Sequence, residues 1–250
     1  IFGLAIGACL GLGLWRNRDL IARKETEPER PRGLLPDGVA WTLLGVHCAL
    51  LLLAEFSPLR WARVIYDPGL AIAVIPLVAI AGAALAFAFA PFGVWPLAIL
   101  APAVLFFALD EARADTRPAR RGAWLGFAFG VGTFTVGTYW LQISIHGFGQ
   151  APVWLALSLM AALVAIMACY GAVLGYVAAR WLPARGVWRW LVGLPAAWML
   201  LEWVRGWFLS GFGWLSLGYS QTDAWLAAYA PIGGMPLVSW ILLLGAYAAS

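Results

Sequence analysis

Charge is what this sequence has least of: Asp, Glu, Lys and Arg make up 11% of its 250 residues, where about 25% is usual for a soluble domain. A solvated, charged surface is excluded at that level. Disorder is excluded too, because 63% of the residues are hydrophobic and chains that stay unfolded are poor in them. Basic residues outnumber acidic ones by only 16 to 12. They form no clustered face to meet phosphates, so no nucleic-acid partner is expected. Cysteine is scarce as well. Cys9, Cys48 and Cys169 are odd in number and contain no CxxC pair, which argues against a disulfide framework or a zinc site. A thiol in an apolar run is a poor nucleophile, and the three read as small packing residues. The two histidines, His47 and His146, lie far apart, and neither metal nor cofactor is expected. The alternating strands of a β-barrel are also missing.

What the chain does have is long uncharged runs, at residues 1–15, 38–54, 68–109, 122–179, 206–222 and 224–250. A helix needs about 20 apolar residues to cross a hydrocarbon core of about 30 Å. The run 68–109 holds two such helices, broken at Ala90-Pro91-Phe92-Gly93-Val94-Trp95-Pro96. The run 122–179 also holds two, broken at His146-Gly147-Phe148-Gly149-Gln150-Ala151-Pro152. Pro lacks the amide donor and Gly frees the backbone, so helices stop at both places. The fold class expected is an all-α polytopic membrane protein, a multi-helix transmembrane bundle.

Arginine placement orients that bundle. Loop 110–121 carries Arg113, Arg117, Arg120 and Arg121, and loop 180–189 carries Arg180, Arg185 and Arg189. An even number of spans separates the two loops, so they share a side, and the positive-inside rule makes it cytoplasmic. Segments 91–96, 146–152 and 206–223 then fall on the opposite side. Residues 1–67 read as an extension with one or two hydrophobic segments and a charged loop, 16–37. If 38–54 spans, that loop falls outside, against the rule; a hairpin or interfacial helix at 38–54 is the other reading. Residues 68–250 read as the transmembrane domain.

Two charges break the pattern. Glu202 and Arg205 fall within the helix that begins near Arg189. Thirteen residues at about 1.5 Å each place Glu202 roughly 20 Å along it. Their i,i+3 spacing puts both on one face, close enough to pair. Ionisable groups at such depth are functional candidates. The plainer reading is an ion pair anchoring the helix end, with Arg205 reaching to phospholipid headgroups. Residues 206–221 follow, with four glycines and five aromatic rings. Aromatic rings gather at headgroup depth in any membrane protein. The glycines point further, to an irregular interfacial or re-entrant segment with close backbone approach.

The run from Glu202 through Gln221, EWVRGWFLSGFGWLSLGYSQ, resembles the corresponding segment of bacterial apolipoprotein N-acyltransferases. Ala90 through Pro96, Gly137 through Ile145 and Ala230 through Gly234 are similar to that family in the same order and spacing, over roughly residues 76–250. Two positions depart from it: Tyr139, where many members carry Asn, and Gly213, where Pro is frequent.

The resemblance implies transfer of a fatty acyl chain from a phospholipid donor to the amino-terminal amine of a diacylglyceryl-cysteine lipoprotein, at the outer face of the bacterial inner membrane. In that family a Cys thioester forms in a nitrilase-like domain, completed by Glu and Lys, and the present sequence stops before such a domain. No catalytic residue is carried over, and this portion alone is expected to be inactive. Segments 91–96, 146–152 and 206–223 would be periplasmic, a ledge for the catalytic domain. Trp140, Phe212, Trp214 and Tyr219 would line the route of the acyl chain. Glu202 and Arg205 would hold the ledge or meet a headgroup phosphate. A non-catalytic membrane scaffold and a transporter are the alternatives; the second lacks the repeated halves and midplane charges expected of it.

Overall fold

The computed structural model describes residues 68–183, 186–208 and 211–250, so Cys9, Cys48, His47 and the readings made on 1–67 lie outside the described residues. Among the described residues the secondary structure is entirely helical. Six helices carry it: α1 (Pro68–Ala86), α2 (Leu97–Glu111), α3 (Pro118–Gly137), α4 (Val153–Arg180), α5 (Leu194–Arg205) and α6 (Ala230–Ala249). A short helix, Trp140–Ile143, runs on into a π-turn at Ser144–Phe148. Among the described residues, two stretches are long and apolar enough to cross a membrane, Val153–Arg180 and Trp225–Ala249; Val74–Ala86 is a shorter apolar helix.

Proline and glycine set the boundaries, as expected. Between α1 and α2 the chain turns through a cis Ala90–Pro91 bond and Gly93 at φ +63. Pro118 opens α3 and Pro195 opens α5, positions where a missing amide donor costs nothing. The backbone just before Pro195 is wound as a π-turn, Arg189–Gly193. Inside α6, Gly233 and Gly234 leave helical geometry, Gly234 at φ +68, and kink the helix in its second turn.

The core gathers around α2, which buries Ala98, Ala101, Leu105, Phe106, Ala108 and Leu109 against its neighbours. From α5, Trp198 enters this core edge-on between Phe106 and Phe129, with ring centroids 6.3 and 6.1 Å away. The antiparallel pair α3 and α4 is drawn together differently. Gly122 faces Gly175 and Gly126 faces Gly171, and a Cβ at any of these would overlap the opposing carbonyl. Small residues facing each other let two helix backbones approach this closely.

The helix directions give the bundle two ends. At one, the end of α2 meets the end of α4 and the start of α5: Asp110 pairs with Arg189 at 2.9 Å. Arg113 donates to the carbonyls of Ala178 and Leu182. The two arginine-bearing loops therefore do share an end. The α1–α2 connection lies at the other end of α2. The segments after α3 and after α5 lie at that far end too, where Gly137 abuts Leu215.

Candidate functional site

The candidate site is built at the far end from the last turn of α5 and the irregular segment after it. Residues 206–208 and 211–229 form turns and short helices, among them the 3-10 helices Leu217–Gln221 and Trp225–Tyr229, in place of a spanning helix. A segment without a repeating hydrogen-bond ladder must find partners elsewhere, and Glu202 supplies them. Its carboxylate accepts from the Leu217 amide at 2.8 Å, from Trp198 Nε1 at 2.9 Å and from Ser239 Oγ at 3.4 Å. One side chain thus ties α5, the loop and α6. Ser239 also accepts from the Gly218 amide at 2.8 Å. At Gly218 the loop lies against the Met235 carbonyl so closely that a Cβ would not fit, which is the approach the glycines suggested.

Arg205 works from the same turn in another direction. Its Nη2 donates to Ser216 Oγ at 3.2 Å, and Ser216 in turn donates to the Gly213 carbonyl at 2.9 Å. The guanidinium sits over the Phe134 ring, 5.1 Å from the centroid, a cation–π contact. The Arg205 carbonyl accepts from the Phe212 amide at 2.7 Å, closing the loop back onto the helix end.

Two expectations are corrected here. Glu202 and Arg205 share a helical face but make no direct ion pair among the described residues; the carboxylate turns toward α6 and Leu217, the guanidinium toward α3 and Ser216. Nor does Arg205 reach out to headgroups, since it is only 5% exposed. Both side chains face a cavity of about 70 Å³ that Thr133, Tyr170, Phe129 and Trp198 also line. That volume has room for several water molecules, so the two charges can interact across it.

Of the rings expected to act together, Trp140 and Trp214 do meet, at 5.5 Å between centroids. Both are exposed, at 38% and 55%. Phe212 lies behind them against Phe134 at 6.4 Å. Tyr219 is exposed on its 3-10 turn, with no ring contact to the tryptophan pair. His146 closes its own turn through Nδ1 to the Ala151 carbonyl at 2.8 Å. Cys169 is an exposed free thiol on α4. Trp198, Ser216 and Ser239 were missed in the sequence. Only Trp198 had a signal, its four-residue spacing from Glu202 along one helix.

Comparison with known proteins places this arrangement. Residues 81–248 match the family described as apolipoprotein N-acyltransferase N-terminal domain. The chain is 42% identical over 168 residues to the apolipoprotein N-acyltransferase of Vibrio parahaemolyticus, covering 67% of this chain and 32% of that protein. It is 42% identical over 156 residues to that of Vibrio cholerae, covering 62% and 30%. Against the protein of that name in Chromobacterium violaceum it is 42% identical over 171 residues, covering 68% and 32%. The chain spans about a third of the length of the curated relatives it matches.

Proposed function

This chain belongs to the apolipoprotein N-acyltransferase family through its N-terminal domain, and from that premise we propose that it forms the multi-pass membrane domain of such an enzyme in the bacterial inner membrane. The whole protein would transfer a fatty acyl chain from phospholipid to the amino-terminal amine of a diacylglyceryl-cysteine lipoprotein, through a thioester on a nitrilase-like domain. This domain supplies the lipid-facing ledge on which that chemistry takes place.

The membrane reading is supported by an inside-out distribution of polarity. The most apolar stretch of α4 has a mean hydropathy of 2.3, yet only 22% of it is buried. Trp154, Leu157, Leu159, Ile166 and Val173 on that helix face outward, while Arg189 and Arg205 are buried. Water would not tolerate the first arrangement over so large a surface. With the arginine-bearing end in the cytoplasm, segments 91–96, 146–152 and 206–223 are periplasmic.

The observation that carries the proposal is that loop 211–223 is held from beneath by Glu202 and Arg205 at the same end as the Trp140–Trp214 pair. A thioester must be kept from water if an amine is to receive its acyl group. A rigid ledge carrying exposed rings gives the acyl chain an apolar path from bilayer to thioester. Trp140, Phe212, Trp214 and Tyr219 line this path, and Glu202 and Arg205 fix its floor.

Arg205→Ala in the full-length enzyme tests the proposal. Acyl-enzyme formation is expected to slow roughly tenfold to a hundredfold, the effect of misplacing a positioning element by about an ångström, with the protein still folded. Unchanged acylation kinetics in a folded variant would remove Arg205 from the mechanism.

A further inference from the structure

The arginine-bearing end of the bundle holds a second feature, unrelated to acyl transfer. Arg117, Pro118, Ala119, Arg120 and Ala123 at the start of α3, with Tyr176 and Arg180 at the end of α4, line an open groove of about 690 Å³. The groove exists because Gly122 and Gly175 bring the two backbones into contact at its base. Its three guanidinium groups are exposed and, among the described residues, form no ion pair. No carboxylate lines it. Of the loop's acidic residues, Asp110 pairs with Arg189 away from the groove, and the Asp115 carboxylate accepts from the Arg117 backbone amide at 3.0 Å.

The rest of the lining is apolar, and exposed rings surround it. Tyr176 packs edge-on against Trp181 at 5.9 Å, and Trp124 against Phe127 at 5.9 Å. Tyr176, Trp181 and Trp124 are 41%, 69% and 53% exposed. Aromatic rings with this exposure beside arginines mark the depth of lipid headgroups. Below the groove the outward side chains of α4, such as Val173 and Ile166, are apolar.

We propose that this groove binds the phosphate-bearing headgroup of an anionic phospholipid of the inner leaflet, with its acyl chains lying along α4. Three unpaired guanidiniums from two helices complement one or two negative charges, and Arg presents the forked donors that phosphate oxygens accept. Basic pockets between membrane helices on the cytoplasmic side hold headgroups in this way. The proposal rests on the membrane orientation given above but not on the acyl-transfer reading. The lipid it holds lies on the opposite leaflet from the ledge.

The test uses the full-length protein in bilayers of phosphatidylglycerol and phosphatidylethanolamine, with retained lipid measured by native mass spectrometry. The wild type is expected to keep phosphatidylglycerol in excess of its bulk fraction. Each arginine replaced by Gln should lower that affinity about fivefold, and R117Q/R120Q/R180Q should abolish the excess. The corresponding Lys triple variant keeps the charge and should keep most of the excess. A wild type without preference overturns the proposal, and so does a Gln variant that binds like the wild type. A Lys variant as defective as the Gln variant also overturns it. Displacement of the lipid by inorganic phosphate at constant ionic strength would assign the groove to the free ion instead. Finding Thr116 on the periplasmic side would refute the orientation while leaving the lipid measurement to stand or fall alone.

Discussion

The helix from Arg189 to Arg205 carries charged side chains at both ends, and the two ends use them differently. At its start, Arg189 is fully buried and closes on an opposite charge: Nη2 meets Asp110 at 2.9 Å, and Nη1 donates to the carbonyls of Ala178 and Pro183 at 2.9 and 3.2 Å. Arg113 adds bonds to the same turn of α4. Burial pushes the Arg113 guanidinium below its usual pKa, with Asp110 acting against that shift. At the other end, Glu202 and Arg205 decline each other and bind a loop amide, two serines and an indole. Charge closed on charge and on frayed carbonyls makes a staple between helix ends. Charges spread over an irregular loop hold that loop in one shape beside a cavity.

The contrast predicts where each variant fails. The largest effect is expected at the stapled end. Arg189→Ala removes the guanidinium that meets Asp110 and donates to the Ala178 and Pro183 carbonyls, and should cost about 3–5 kcal/mol of stability, read as a fall in the unfolding temperature in detergent. Acyl-enzyme formation per folded molecule should stay near wild type. Arg205→Ala should also lower the unfolding temperature, since it leaves the partly buried Glu202 carboxylate without its neighbouring charge, but unlike Arg189→Ala it should slow acylation per folded molecule as well. If both variants lose stability alone, the two ends do not differ in role.

A smaller effect is expected at the rings. Trp214→Ala removes the contact with Trp140, and such pairs contribute about 0.5–1.5 kcal/mol beyond their area. Acylation should slow by up to about tenfold, without loss of the ledge. The smallest effects separate two glycines of the loop. Gly213 has open space around it and no positive φ, so Gly213→Ala should stabilise by about 0.4–1 kcal/mol through the unfolded chain. Gly211, at φ +77 and against the Gly206 carbonyl, has room for no side chain. Gly211→Ala should therefore destabilise, and opposite signs at these two positions are the check.

Much of this architecture was legible from proline, glycine and arginine alone. The break at 90–96 falls where α1 gives way to α2, because backbone chemistry decides it locally. Helix α3 ends earlier than the break read at 146–152, at Gly137, and a short helix and π-turn carry the chain on to Phe148 before α4 begins at Val153. Loops 110–121 and 180–189 meet as their arginines required. The partners of Glu202 were less accessible. Trp198 could be read from helical spacing, but Ser239 lies 37 residues away in an apolar helix and Leu217 offers only its amide. Asp110 was overlooked for a different reason. Orientation is read from Lys and Arg, so an acidic residue in a basic loop carries no weight until the fold sets it against Arg189.

The central claim is that the far-end segments gather on one side of a bilayer, and accessibility labelling of single cysteines tests it most directly. Gln150 and Thr222 are exposed at the far end and Thr116 at the arginine-bearing end. In a background with Cys9, Cys48 and Cys169 replaced, a membrane-impermeant maleimide added to cells with a permeable outer membrane should label Q150C and T222C. It should reach T116C only after the inner membrane is opened. Labelling of Q150C and T222C from opposite sides would contradict the account.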